Sequence, residues 1–165
     1  MPNLPATLRK RLSGAPRLAV LAIGSRLRGD DAAGLLAADA LAAARKSRRP
    51  RTRLKIFFGE TVPENLTGEI RRFRPTHLVL LDAADFGRRA GTVQLIEPEA
   101  TRSNPSLSTH ALPIHLLTDY LRDSLGCKVF IIGIQPASSR FDAAPSAAVQ
   151  RAARRVAAAI LKALA

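Results

Sequence analysis

The sequence predicts a single α/β domain with a five-stranded, twisted, mostly parallel sheet and helices on both faces. Three observations support this fold class. The 165 residues suit one domain. Short apolar runs alternate with longer segments of helical spacing. Two predicted strands follow each other with no helix between them, so one antiparallel edge strand is expected.

The first half of the chain predicts two strand–helix units. Residues 17–24 form a short apolar run that ends in a glycine, a pattern typical of a buried strand. Residues 30–44 are rich in alanine and leucine at helical spacing, with two acidic residues in the first turn. Residues 53–58 predict the second strand. Residues 63–73, with a proline in the first turn, predict the second helix.

The second half predicts three strands and two helices. Residues 77–82 and 91–97 are the third and fourth strands, with no helix between them. Residues 113–124 carry apolar side chains at helical spacing, and residues 128–134 form the fifth strand. Residues 146–164 predict a closing amphipathic helix. No long linker and no internal repeat divides this part of the chain.

The N-terminal segment and the single cysteine narrow the class of protein. Residues 1–16 are basic, and we expect them to be a mobile extension ahead of a domain at residues 17–165. No apolar run approaches the roughly 20 residues of a membrane helix, and residues 18–23 are too short for a signal-peptide core. We therefore expect a cytoplasmic protein with no membrane association. Cys127 cannot form an internal disulfide, and we expect it to be a buried apolar residue.

The formal net charge is +13, from 26 basic and 13 acidic residues. Such a charge favours an acidic protein surface or a nucleic acid as partner. The basic residues collect at 45–53, 71–74 and 151–155, where we expect helix ends and one face of the last helix. No aromatic residues are interleaved with them to stack on bases, so we do not expect nucleic acid.

Polar residues follow three of the predicted strands. Asp30 and Asp31 follow the first strand, Asp82 ends the third with Asp85 just beyond it, and His110 lies in the loop after the fourth. Ligands of open α/β sheets bind at the carboxyl ends of the strands, so Asp31, Asp82 and His110 are expected at one edge. Taken singly, either first-loop aspartate has an ordinary interpretation as a helix cap. Asp82 alone would be a turn residue, and His110 alone a surface loop residue.

The first of these loops favours a cation over a phosphate. It is rich in glycine but lacks both the G-x-G-x-x-G spacing and the G-K-[ST] ending of nucleotide loops. Asp30 and Asp31 would also repel an anion from the start of the following helix. Two carboxylates and one imidazole suit Zn²⁺, Ni²⁺ or Mn²⁺ and leave coordination positions open, as in a site that water or substrate completes.

Other catalytic patterns are missing from the sequence. It has no H-E-x-x-H zinc-protease motif and no G-x-S-x-G nucleophile elbow. Cys127 begins its strand at the edge away from the expected site, which argues against a cysteine nucleophile.

Five stretches, in order, make the chain resemble the hydrogenase maturation endopeptidases, most closely those of the hydrogenase 3 type. They are GSRLRGDDAAG (24–34), GETVPEN (59–65), LLDAADFG (80–87), STHALP (108–113) and GIQP (133–136). Together they extend over nearly the whole chain, and five such motifs in order are specific.

The resemblance implies a peptidase that removes a C-terminal extension from a hydrogenase large-subunit precursor after nickel insertion. Matched motif to motif, it implies Asp31, Asp82 and His110 as metal ligands, and Asp31 or Asp82 as the catalytic proton acceptor. The implied nickel arrives in the substrate, and zinc or another divalent metal is expected in the isolated protein. We expect a monomer whose partner is the precursor.

The chain departs from the family pattern at three positions. Ser25 stands where the family usually has asparagine, Phe58 where many members have aspartate, and Glu60 where they have glycine. Phe58 removes one possible catalytic carboxylate. Two alternatives therefore stay open: a metal-binding relative that no longer cleaves, and a basic α/β module that binds nucleic acid or an anionic metabolite.

Overall fold

The structure is a computed structural model that describes residues 3–45, 52–103 and 113–165. Its strands are β1 (Arg17–Ile23), β2 (Arg53–Glu60), β3 (His77–Ala83), β4 (Val93–Ile96) and β5 (Lys128–Ile134). They form one sheet in the order β2–β1–β3–β5–β4. β4 is antiparallel to β5 and the other pairs are parallel. The predicted α/β fold is confirmed, including its antiparallel edge strand.

The helices are α1 (Leu4–Arg11), α2 (Ala33–Arg45), α3 (Thr67–Phe73), α4 (Ala100–Ser103), α5 (Ile114–Leu125) and α6 (Ala147–Leu164). Short 3₁₀ turns, Gly29–Ala32 and Pro63–Leu66, lead into α2 and α3. Among the helices of the described ranges, none has the length and apolarity needed to cross a membrane.

Two apolar layers cover the sheet. Val20 of β1 packs with α1, α2 and α6 on one face, whereas its neighbour Leu21 packs with α3 and α5 on the other. Successive side chains of a strand point to opposite faces, so a strand covered on both sides must be apolar throughout. All seven residues of β3 are buried, and they are apolar except for His77 at its start and Asp82 near its end.

The N-terminal segment departs from the mobile extension expected from the sequence. Residues 4–11 form α1, which packs on α6 and whose Leu8 side chain is fully buried, and Leu12 belongs to the same apolar cluster. The side chain of Asn3 caps the helix by accepting a hydrogen bond from the backbone N–H of Ala6. Burial of leucine side chains at every fourth position offsets the entropic cost of ordering this segment.

His77, the first residue of β3, is a structural residue. It is buried, its Nδ1 lies 3.1 Å from the hydroxyl oxygen of Thr76, and its Nε2 has no hydrogen-bond partner within the described residues. Burial lowers the pKa of the His77 imidazole, and the nearby charge of Lys128 lowers it further. The folded protein therefore favours the neutral form of this imidazole more strongly than the unfolded chain does.

His77 makes the fold sensitive to acid. In the unfolded chain the pKa of His77 is about 6.5. Below that pH the unfolded state binds a proton more readily than the folded state does, which favours unfolding. We expect the free energy of unfolding to fall as the pH drops through about 6.5, and His77→Leu to weaken this dependence. Urea unfolding from pH 7.5 to 5.5 measures it, with His115→Gln as the control. An identical pH dependence in wild type and His77→Leu would contradict this account.

Candidate active site

The two predicted acidic ligands lie at the carboxyl ends of neighbouring parallel strands. Asp31 follows β1 in the Gly29–Ala32 turn, and Asp82 is the penultimate residue of β3. β1 pairs with β2 on one side and β3 on the other, so the chain changes direction across the sheet between β1 and β3. Such a switch point is where open α/β sheets bind their ligands.

Two glycines allow the first loop to approach these strand ends closely. A Cβ atom on Gly34, in the first turn of α2, would lie 2.1 Å from the carbonyl oxygen of Leu81. A Cβ atom on Gly24 would lie 2.0 Å from the carbonyl oxygen of Asp31, and the φ of Gly24 is +139°. Only glycine fits either position, so the sequence pattern itself draws the Asp31 turn against the end of β3.

Asp31 and Asp82 are both withdrawn from solvent. Asp82 is 1% exposed and Asp31 is 4% exposed. Carboxylates are seldom buried to this extent without a charged, polar or metal partner, because removing their charge from water is costly. The pair therefore marks a place where the fold tolerates negative charge for a reason other than packing.

The neighbouring Asp30 has a different and structural role. One of its oxygens accepts a hydrogen bond from the backbone N–H of Ala137 (2.7 Å) and one from the hydroxyl of Ser146 (2.9 Å). Its other oxygen accepts from the backbone N–H of Ser146 (2.6 Å). Ser146 in turn caps α6 by accepting from the backbone N–H of Val149. Asp30 therefore does not cap the helix that follows it, but holds Ser146, the residue that caps α6.

Gln135, which follows β5 and for which the sequence predicted no role, organises the loop after β3. Its side-chain oxygen accepts hydrogen bonds from the backbone N–H groups of Phe86 (2.6 Å) and Arg88 (3.2 Å), and its amide nitrogen donates to Asp85 (3.0 Å). This amide and the N–H of Gly87 lower the pKa of the Asp85 carboxyl, the N–H being the larger cause. Asp85 is consequently a loop-stabilising residue. The sequence signal for Gln135 was its place in the GIQP stretch (133–136).

The end of β2 borders the same edge of the sheet. Glu60 has a positive φ of 50°, and its carbonyl oxygen accepts a hydrogen bond from the N–H of Gly24 (3.0 Å). The Glu60 side chain is exposed, and Phe58 is 40% exposed. Arg26, in the loop after β1, pairs with Asp39 of α2 (2.8 Å), and this hydrogen bond raises the pKa of the Arg26 guanidinium.

The third predicted ligand, His110, lies outside the described residues. Within residues 3–45, 52–103 and 113–165, no group of three or more His, Cys, Asp or Glu side chains could hold a metal ion. The structure therefore brings Asp31 and Asp82 to one edge of the sheet and leaves the His110 assignment a prediction.

Cys127 lies where the sequence predicted, away from this edge. It immediately precedes β5, at the amino ends of the parallel strands, and it is 4% exposed. Burial raises the pKa of the Cys127 thiol, which disfavours the thiolate that a nucleophile requires. Two buried carboxylates can instead accept a proton or bind a hard or borderline metal cation.

The chain is similar in sequence and fold to hydrogenase maturation proteases. The family model for hydrogenase maturation proteases matches residues 39–163. The hydrogenase 3 maturation protease of Escherichia coli strain K12 is 36% identical over 117 residues, which are 71% of each chain.

Solved structures agree with the sequence matches. The crystal structure of the NiFe hydrogenase maturation protease HycI from Thermococcus kodakarensis has a TM-score of 0.85 and 32% identity, covering 96% of this chain and 98% of that one. The solution structure of the endopeptidase HycI from Escherichia coli has a TM-score of 0.74 and 31% identity, covering 86% and 87%.

Proposed function

The chain belongs to the hydrogenase maturation protease family, and from that premise we propose that it removes a C-terminal extension from a nickel-loaded hydrogenase large-subunit precursor. The family consists of peptidases, so the reaction class is peptide hydrolysis. The observation that carries the proposal is the pair of buried carboxylates, Asp31 and Asp82, at the switch point of the sheet. Asp30 is equally buried, but its oxygens accept hydrogen bonds from Ala137 and Ser146, which gives it a structural role.

In the proposed complex, Asp31, Asp82 and His110 bind the nickel that the precursor brings. Two carboxylate oxygens and an imidazole nitrogen are suitable donors for a divalent ion of this kind, and zinc or another divalent ion would use the same donors in the isolated protein. A bound divalent ion supplies Lewis-acid polarisation of the scissile carbonyl. A precursor without nickel would lose these contacts, and this loss would make nickel the recognition element.

The protein residues supply position and proton transfer. Asp82 or Asp31 accepts a proton from the attacking water while the water oxygen bonds to the carbonyl carbon. The carboxylic acid formed in this way then donates a proton to the departing amide nitrogen. Asp30 holds the Asp31 turn against the loop before α6, since its oxygens bind Ala137 and Ser146. Gln135 similarly fixes the loop that follows Asp82.

The experiment is a processing assay with a nickel-loaded large-subunit precursor and intact-mass detection. The proposal predicts conversion to one shorter protein and one C-terminal peptide. An unchanged precursor mass, with the precursor still bound, would contradict cleavage and favour a metal-binding relative that no longer cuts.

One observation favours that second candidate. The Phe58 side chain stands at the end of β2, where the resemblance leads us to expect aspartate in many members. If wild type binds without cutting, gain of cleavage in Phe58→Asp would assign the loss of activity to this position.

A further inference from the structure

A groove beside α6, which we call the α6 groove, is lined by several positively charged side chains. It lies between the start of α1, the loop from β3 to β4 and one face of α6, and it has a volume of about 870 Å³. Four cationic side chains line it: Arg89, Arg151, Arg155 and Lys162. None of the residues lining this α6 groove is acidic.

Unlike several other arginines in the structure, these four cations have no carboxylate partner within the described residues. Arg11 and Arg122 pair with Glu97 and Glu99, respectively. In the α6 groove, by contrast, Arg155 donates to the carbonyl oxygen of Gly91 (3.0 Å), and the other three cations form no ion pair within the described part of the chain. Four positive charges around one groove, with no acidic residue in its lining, give it a positive potential that favours an anionic partner.

Helix-dipole complementation does not explain this charge. The favourable position for a cation is the last turn of a helix, which accounts for Lys162 alone. Arg151 and Arg155 lie in the N-terminal half of α6, well before its last turn, and they line the groove. Their placement therefore needs another reason.

The shape and lining of the α6 groove favour a polypeptide. Its stretch of α6 runs from Ala148 to Lys162, a rise of about 21 Å. Leu4, Pro5 and Val93 give it apolar walls between the cations, and no aromatic side chain lines it for stacking on bases. Apolar walls with a cationic rim complement an acidic, amphipathic segment, a recurring mode of protein recognition.

The α6 groove begins at the edge of the sheet that carries Asp82. The N–H of Gly91, in the groove wall, donates to the backbone oxygen of Gln135 (2.8 Å), and the N–H of Gln135 donates to the oxygen of Thr92 (2.8 Å). The side chain of Gln135 holds the loop just after Asp82 through Phe86. Gln135 therefore joins the wall of the α6 groove to the loop that follows Asp82.

We propose that the α6 groove is a second binding site for the hydrogenase precursor, which inserts an acidic, amphipathic segment outside its scissile region. This inference rests on the proposed function for the identity of the partner. The site supplies affinity and orientation and takes no part in bond cleavage. It also assigns a role to part of the +13 charge that the candidate active site leaves unexplained.

The test compares two charge-reversed proteins with the same net charge. Arg151→Glu/Lys162→Glu changes the groove, whereas Arg154→Glu/Arg72→Glu changes exposed residues that do not line it. We expect the groove variant to raise both KM and the directly measured Kd for the nickel-loaded precursor at least tenfold, with kcat unchanged. The control should stay within twofold of wild type, and both variants should keep the wild-type Tm.

Other outcomes separate the possibilities. Equal Kd values for groove variant and wild type would overturn the inference, as would equal losses in groove variant and control. A third outcome is that wild type and control bind a single-stranded 12-mer oligonucleotide, whereas the groove variant does not, and all three bind the precursor equally. That outcome would assign the groove to nucleic acid instead. If wild type binds the precursor through the groove but does not cut it, the second binding site stands and the proposed function fails.

Discussion

Asp82→Asn is expected to abolish processing of the nickel-loaded precursor while the protein stays folded. Asparagine has the shape of aspartate, but it has neither the negative charge to bind nickel nor the basicity to accept a proton from water. Proton transfer by a positioned side chain contributes about 10²–10⁴-fold to a rate, so kcat should fall by at least about 10². Single-turnover processing with intact-mass detection measures this loss.

Asp85→Asn is the matched control for Asp82→Asn. Asp85 follows the same strand but is exposed, and the hydrogen bonds it accepts from Gly87 and Gln135 can also be accepted by an asparagine oxygen. Its kcat should remain within about twofold of wild type. Both variants should keep Tm within about 4 °C, equivalent to roughly 1 kcal/mol in a protein of this size. A fully active Asp82→Asn enzyme would contradict the assignment of Asp82 as metal ligand and proton acceptor.

Asp30→Ala should give the opposite result, a large loss of stability. The substitution removes three hydrogen bonds to a buried carboxylate and leaves the N–H groups of Ala137 and Ser146 without their acceptor. Hydrogen bonds to charged groups contribute about 1.5–3 kcal/mol each and are not additive, so we expect a loss of about 3 kcal/mol or more. Urea unfolding should show a lower midpoint with an unchanged slope.

Asp39→Ala serves as the control for Asp30→Ala. Asp39 also hydrogen-bonds two groups, both on Arg26, but this pair is exposed to solvent. Exposed ion pairs contribute about 0–1 kcal/mol, so this variant should remain within about 1 kcal/mol of wild type. If Asp30→Ala were equally harmless, Asp30 could not be what joins the first loop to α6.

The sheet and most helices were predictable because local pattern and burial agree in them. The run that became β1 is apolar on both faces and ends at Gly24, which must be glycine because Asp31 lies so close. The run that became β3 is buried at every position. When a strand is covered on both sides, its apolar run is visible in the sequence whatever its neighbours are.

The features that sequence reasoning missed depend on contacts between distant segments. In the sequence, α1 resembles a solvated tail because it carries three cations in its last turn. Only the structure shows that α6 provides a surface on which Leu8 is buried. Asp30 and Asp31 are adjacent in sequence, and only the position of Ser146, 116 residues beyond Asp30, separates the structural carboxylate from the candidate ligand. Arg89 and Lys162 meet in one groove only because the β3–β4 loop folds onto α6.

The most direct test of the central claim compares two forms of one large-subunit precursor, one loaded with nickel and one without, under identical processing conditions. If Asp31, Asp82 and His110 recognise the nickel that the substrate carries, the wild-type protein should cleave the loaded form and leave the nickel-free form intact. Cleavage of both forms at the same rate would contradict recognition through nickel.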